Sequence, residues 1–257
     1  MINPLYSLAG VAVGLLVGMT GVGGGSLMTP LLVLLFGFHP ATAVGTDLLY
    51  ASATKAAGTT IHGWRNTVDW SVVWRLLSGS MPASLLTLFF LANARDRMQD
   101  VGHIISVGLG VVLVLTAVAM SFRRRIVAAL TPFVGTVAQG HVGVATIVLG
   151  AILGVMVSLT SVGAGALGMT ALIILYPSLP TNRLVGSDIA HAVPLTLLAG
   201  MGHWYQGSVD FGLLGSLLIG SIPGIIVGSL IATRVSERVL TPILAVTLAI
   251  VGVRLLL

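Results

Sequence analysis

Three ionisable side chains, Asp47, Lys55 and Asp188, stand inside long apolar runs of this sequence, and Lys55 is the only lysine in it. A charge placed deep in a bilayer costs at least about 2.5–3.5 kcal/mol, so such residues are functional candidates by default. On one helix, Asp47 and Lys55 would lie about 12 Å apart along the axis. That is too far for direct pairing and close enough for both to border one cavity. His191 follows Asp188 on the same helical face. A buried lysine suits an anionic passenger, and a carboxylate or imidazole suits a coupled proton. Blander roles compete with these: the aspartates answer a helix dipole near an N-terminus, and Lys55 snorkels to an interface. His62 and His203 fall at the ends of apolar runs before polar loops and read as membrane-interface residues. His39, His103 and His141 read as loop or helix-end residues.

The second chemical feature is a glycine run, Gly21-Val22-Gly23-Gly24-Gly25-Ser26, preceded by Thr20. It is not a nucleotide cradle, because it lacks both the Gly-Lys-Ser/Thr ending of a P-loop and a strand before it. The apolar pieces on either side, 5–19 and 26–37, make about 22 Å and 18 Å of helix. Neither spans a hydrocarbon core of about 30 Å. Two helical pieces meeting at a break are expected, as a re-entrant hairpin or as two short tilted spans. Lipid cannot satisfy the backbone groups that a break exposes, so the break must face protein or a wet cavity. Glycine reaches the required angles and admits a ligand closely. The restarting helix then aims free N–H groups at an anion. The competing role for the glycines is close helix packing.

The elements that position these residues occur twice. Val44-Gly45-Thr46-Asp47 returns 141 residues later as Val185-Gly186-Ser187-Asp188. His62 returns as His203, Val68-Asp69 as Val209-Asp210, and Gly79-Ser80-Met81-Pro82 as Gly220-Ser221-Ile222-Pro223. With one residue of slip, Thr20-Gly21-Val22-Gly23-Gly24-Gly25 lies over Thr160-Ser161-Val162-Gly163-Ala164-Gly165. Both prolines are expected to kink their helices. Spans are expected near 41–61, 68–92 and 101–121, and again near 184–203, 210–232 and 239–257. Broken segments precede each trio, at 5–19 with 26–37 and at 142–159 with 166–177. The reading is therefore all-α: a polytopic membrane helix bundle of two repeats, 1–122 and 141–257, joined by a basic linker, 123–140.

An odd number of crossings per repeat turns the second repeat upside down. With Arg123-Arg124-Arg125 cytoplasmic, inversion also places Arg65, Arg75, Arg183, Arg234 and Arg238 inside, leaving only Arg95, Arg97 and Arg254 outside. That matches the positive-inside bias better than parallel repeats do. Inverted repeats commonly hold a substrate near the midplane.

Composition sets the class. Of 257 residues, 56% are hydrophobic and 7% charged, against about 25% charged in a soluble domain. Lipid must therefore solvate most of the surface. The apolar residues come in unbroken runs, which excludes the alternation of a β-barrel. Cysteine is absent, which excludes disulfides and thiolate sites, and no His/Asp/Glu cluster has metal-site spacing. The formal charge of +5 is read as arginines in cytoplasmic loops rather than as a nucleic-acid surface. The N-terminus lacks the basic start of a cleavable signal. Small-residue helix faces permit a homodimer without specifying one.

With these residues in hand, the chain resembles the TauE/SafE family of sulfite exporters. The carriers are Gly21-Val22-Gly23-Gly24-Gly25 with Pro30, Ala43-Val44-Gly45-Thr46-Asp47, Ser161-Val162-Gly163-Ala164-Gly165 and Val185-Gly186-Ser187-Asp188. The resemblance implies a transporter of sulfite, sulfoacetate or related small anions in the bacterial cytoplasmic membrane. It further implies no bound cofactor and drive by an ion gradient. Ala164 and Ala166 depart from the glycine pattern, so the two half-sites need not be equal. Expected contacts to the anion are Thr20, Gly23, Gly24, Gly25, Ser26, Thr160, Ser161, Gly163 and Gly165. Asp47, Lys55, Asp188 and His191 are expected to balance charge or carry a proton. The alternatives are a passive channel for water or a small solute, and a membrane enzyme or structural subunit. The channel needs no buried Lys55 or aspartates. The enzyme needs clustered catalytic residues at one membrane face, and the sequence holds none.

Overall fold

The computed structural model describes residues 4–20, 25–64, 68–95, 101–138, 141–163, 165–231 and 237–257. Among them the chain is helical and contains no strand. The first repeat contributes α1 (Pro4–Thr20), α2 (Gly25–Leu34), α3 (Pro40–Trp64), α4 (Trp70–Arg95) and α5 (Val101–Ala138). The second contributes α6 (Val142–Thr160), α7 (Ala166–Leu175), α8 (Thr181–Tyr205), α9 (Phe211–Ile231) and α10 (Glu237–Leu256). The basic stretch expected as a linker continues α5 as helix. Pro82 and Pro223 lie inside α4 and α9.

Among the described residues, α4, α5, α6, α8 and α9 contain stretches long and apolar enough to cross a membrane. Their outer faces carry large apolar side chains, with Leu86, Phe89 and Phe90 of α4 at 69–74% exposure. Such a face needs lipid as its solvent. The span expected near 41–61 is long enough as α3 but is not among the five. Its polarity has a physical reason: residues 43–48 are all buried, so protein rather than lipid surrounds that part of the helix.

Each broken segment folds back on itself. Tyr6, near the start of α1, stacks edge-on against Phe36 and Phe38 just past α2, at 5.1 and 5.6 Å between ring centroids. Thr146, in the first turn of α6, shares a 2.8 Å hydrogen bond with the hydroxyl of Tyr176 just past α7. The entry and exit of each segment therefore meet, which makes both segments helical hairpins, and in the second the break at 161–163 forms the tip.

The hairpins are exchanged between repeats. The first arm α1 packs most closely on α9, and α6 on α4. Glycines at matching positions make this approach possible. A Cβ on Gly14 would stand 2.5 Å from the Ser221 carbonyl, and one on Gly154 would stand 2.4 Å from the Ser80 carbonyl. Gly10 and Gly150 meet the Leu217 and Leu76 carbonyls in the same way. Close packing thus accounts for these glycines, while those at the tips are separate. Two mixed four-helix units result. Val13, Met28, Ala43, Leu213 and Leu217 form the core of α1, α2, α3 and α9. Leu153, Met169, Leu184, Val72 and Leu76 occupy the matching positions in α6, α7, α8 and α4.

The units meet along α3–α8 and α5–α10. Gly45 lies beside His203, and Gly200 beside Leu49, so the equivalent helices α3 and α8 run antiparallel. Reciprocal bonds join the two repeats inside each unit: the Asp210 N–H donates to Thr46 Oγ1 at 3.0 Å, and the Asp69 N–H to Ser187 Oγ at 2.8 Å.

Because the atom facing Gly154 is backbone, it cannot swing aside. Gly154→Val is expected to lower stability by about 3 kcal/mol, the upper end for overpacking. The thermal midpoint in detergent should fall by roughly 6–12 °C, and an unchanged midpoint would show the α4–α6 contact to be loose.

Candidate functional site

The tip of the second hairpin is a built turn. α6 stops at Thr160 because Ser161 takes a left-handed conformation, φ 59°, while its N–H still reaches the Val157 carbonyl at 2.8 Å. Gly163 follows at φ 121°, a region that side chains other than glycine rarely adopt. Thr160 holds the turn: its hydroxyl donates to the Met156 carbonyl at 2.7 Å and accepts the Val162 N–H at 3.1 Å. Its role is to shape the tip, and its hydroxyl is already engaged there. The Gly168 N–H then returns to the Gly163 carbonyl at 3.0 Å as α7 starts from Gly165. As at any helix start, the first N–H groups of α7 have no acceptor within their own helix.

Two carboxyls face this region. Asp47 on α3 is completely buried and accepts a hydrogen bond from the Thr29 hydroxyl on α2. Ser161, from the opposite repeat's tip, stands close enough to act on the Asp47 charge. The Ser161 Oγ and Asp47 Oδ1 nonetheless have no hydrogen-bond partner of ordinary geometry. Asp188 on α8 is 6% exposed. Its Oδ1 has no hydrogen-bond partner and lies 3.0 Å from where a Cβ on Gly168 would sit, over the first turn of α7. Lys55 is within electrostatic range of Asp188, Asp47 and His191. The only lysine of the chain therefore shares one buried field with both acids.

This placement removes one of the blander roles, helix capping by the aspartates. Asp47 and Asp188 sit about two turns inside α3 and α8, so neither caps its helix. Lys55 lies in the body of α3, away from either end. His191 is fully buried, with Nε2 at 2.9 Å from the Ser80 hydroxyl and Nδ1 without a partner. His203 corrects an expectation: it is 1% exposed, and its Nε2 lies 2.9 Å from the Ser158 carbonyl. The helix crossing beside Gly45 encloses it, so it is not an interface residue. Gly25 opens α2 with Ser26 next to it, and Thr20 ends α1. Gly23 and Gly24 lie outside the described residues.

Sequence reasoning missed Thr29, Tyr50 and Ser80. Their signal was duplication. Met28-Thr29 is matched by Met169-Thr170, and Tyr50 takes the place of His191. Tyr50 is buried near Ser221 just as His191 is near Ser80.

Paired hairpins, exchanged between repeats around buried charge and clothed in lipid-facing side chains, define a multi-pass membrane protein of the transporter class. The chain belongs to the TauE/SafE family, since the family description "Sulfite exporter TauE/SafE" matches residues 6–255. A probable membrane transporter protein of Bacillus subtilis (strain 168), YjnA, is 39% identical over 250 residues, covering 97% of this chain and 98% of that protein. YdhB of the same organism, also a probable membrane transporter protein, is 27% identical over 246 residues, with 95% and 96% covered. A probable membrane transporter protein of Xylella fastidiosa (strain 9a5c) is 26% identical over 230 residues, with 89% and 84% covered. No solved structure matches the chain.

Proposed function

We propose that this protein is a secondary transporter that carries a small anion across the bacterial cytoplasmic membrane, coupled to an ion gradient. The passenger is sulfite, a sulfonate such as sulfoacetate, or a related organic anion. It binds where the hairpin tips of two inverted repeats approach α3 and α8, with the Arg123-Arg124-Arg125 side of α5 in the cytoplasm. The observation that carries this reading is the convergence at one place of the α7 helix start, the Ser161 hydroxyl and the field of Lys55. An anion needs donors and a cation once it leaves water. The antiparallel run of α3 and α8 and the return of each hairpin to its own side support inversion. One hairpin and three crossings per repeat leave an odd count. The family description supports the passenger class.

The test is uptake of radiolabelled sulfite, and separately of sulfoacetate, into proteoliposomes with and without an imposed proton gradient. Saturable uptake that responds to the gradient is expected. Flux that neither saturates nor responds would favour a passive channel. Gly163→Leu fills the tip at a left-handed position and is expected to reduce the initial rate at least about tenfold, from 1–3 kcal/mol of backbone strain added to a blocked site. A Gly163→Leu variant that transports like the wild type sinks the proposed site.

A further inference from the structure

The two repeats are built alike but are not in the same state at the carboxyls. Thr29 and Thr170 are equivalent, because α2 and α7 correspond residue for residue, as do α3 and α8. Thr29 donates to Asp47. Thr170 instead donates to the Ala166 carbonyl of its own helix at 2.7 Å, and Asp188 faces Gly168 with Oδ1 unpartnered. A second, independent difference accompanies the first. The arm α2 packs chiefly on α3, whereas α7 packs chiefly on α5 and less on α8. One hairpin arm is seated against its acid-bearing helix, and the other is drawn off it.

We infer that Thr29 and Thr170 are reciprocal positioning residues, and that each latches its hairpin arm to the buried carboxyl of the neighbouring helix in turn. The argument rests on the transporter reading above. Gly168 and Thr170 are two residues apart, about 3 Å along α7 but about 200° around it. Bringing the Thr170 hydroxyl to Asp188 therefore takes a turn of the arm about its own axis as well as a shift along α8. The opposite movement of α2 releases Thr29 to its own helix, as Thr170 is now. Each seat offers the hydroxyl an acceptor: its own helix backbone in one, the carboxyl in the other. Both seats therefore keep the threonine satisfied, which an alternating element requires. The carboxyl of the released arm is the one left open. In the present state that is Asp188, over the first turn of α7.

The absence of cysteine makes the test direct. Cysteines introduced at Leu35, 74% exposed just past α2, and at Tyr205, 94% exposed at the end of α8, take spin labels without background. Distances between them in proteoliposomes give the populations of the two arrangements. Thr29→Val removes the bond that holds this state, and Thr170→Val removes the bond that holds the other. The two variants should shift the population ratio in opposite directions, each about tenfold for one buried hydrogen bond to a carboxylate. Thr29→Ser and Thr170→Ser keep the hydroxyl and should leave the distribution as in the parent. Shifts in the same direction, no shift, or equal shifts in the serine variants overturn the latch. Opposite shifts without uptake of any tested anion uphold the latch and refute the passenger. Gradient-driven uptake with unshifted populations does the reverse.

Discussion

Lys55→Met is expected to reduce the initial rate of anion uptake by about thirty-fold or more, with the protein still folded and inserted. Lys55 sits in the body of α3, in the combined field of Asp47 and Asp188. Without it, the described centre of the molecule holds two acids and no lysine or arginine, and an incoming anion meets only repulsion. Removing one member of a buried charge set costs about 2–5 kcal/mol, which converts to between about thirty-fold and several thousand-fold in rate. Methionine keeps length and apolar contact, so the change isolates the charge. The measurement is radiolabelled uptake at several anion concentrations, with detergent size-exclusion profiles as the check on folding. Lys55→Arg should retain part of the activity, since charge survives while shape and hydration change. A loss confined to the melting temperature, with uptake intact, would reduce Lys55 to a structural counter-ion.

Much of this arrangement was legible in the sequence, for a definite reason. Charge and glycine are both expensive or unusual at bilayer depth, so Asp47, Lys55, Asp188 and the tip glycines stand out against an apolar background. Duplication then locates the breaks twice, and the helices end where the threonines Thr20 and Thr160 precede them. What the sequence did not disclose is long-range by nature. Nothing local announces that α1 packs on α9 and α6 on α4, since the glycines that permit it, such as Gly14 and Gly154, look like any small residues in an apolar run. The contacts that bring the ends of each segment together, Tyr6 with Phe36 and Thr146 with Tyr176, join residues about thirty positions apart and leave no local trace. Thr29 escaped notice because a threonine in a membrane helix ordinarily bonds its own preceding turn, as Thr170 and Thr146 do here. His203 was misplaced for a related reason. It ends a helix, and only the tertiary crossing at Gly45 buries it.

The exchange of helices also changes what a moving part would be. If the sequence halves moved against each other, the backbone contacts at Gly14 and Gly154 would have to break, along with the still closer ones at Gly220 and Gly79 in the same two seams. The pairs α1–α9 and α4–α6, held by those contacts, are the bodies that stay intact. Motion is left to the α3–α8 seam and to the hairpin arms, where the ionisable residues are.

Asp188→Asn then separates movement from drive. The amide has the size of the carboxyl and keeps an acceptor over Gly168, but it cannot take up and release a proton. If Asp188 carries the coupled proton, each proton moved per anion multiplies the equilibrium accumulation ratio by about ten per pH unit of gradient. The variant is expected to bring that factor to about one, with membrane potential clamped. Exchange of labelled for unlabelled anion at equal pH should persist, because it requires only binding and the alternation of the arms. Asp47→Asn, whose carboxyl is held by Thr29, should weaken exchange as well, since there the acid also seats the arm. A wild-type accumulation ratio in Asp188→Asn would remove Asp188 from the coupling path. Loss of exchange together with accumulation would make it part of the passenger's binding site, where an open carboxylate beside Lys55 would set how much negative charge the passenger brings.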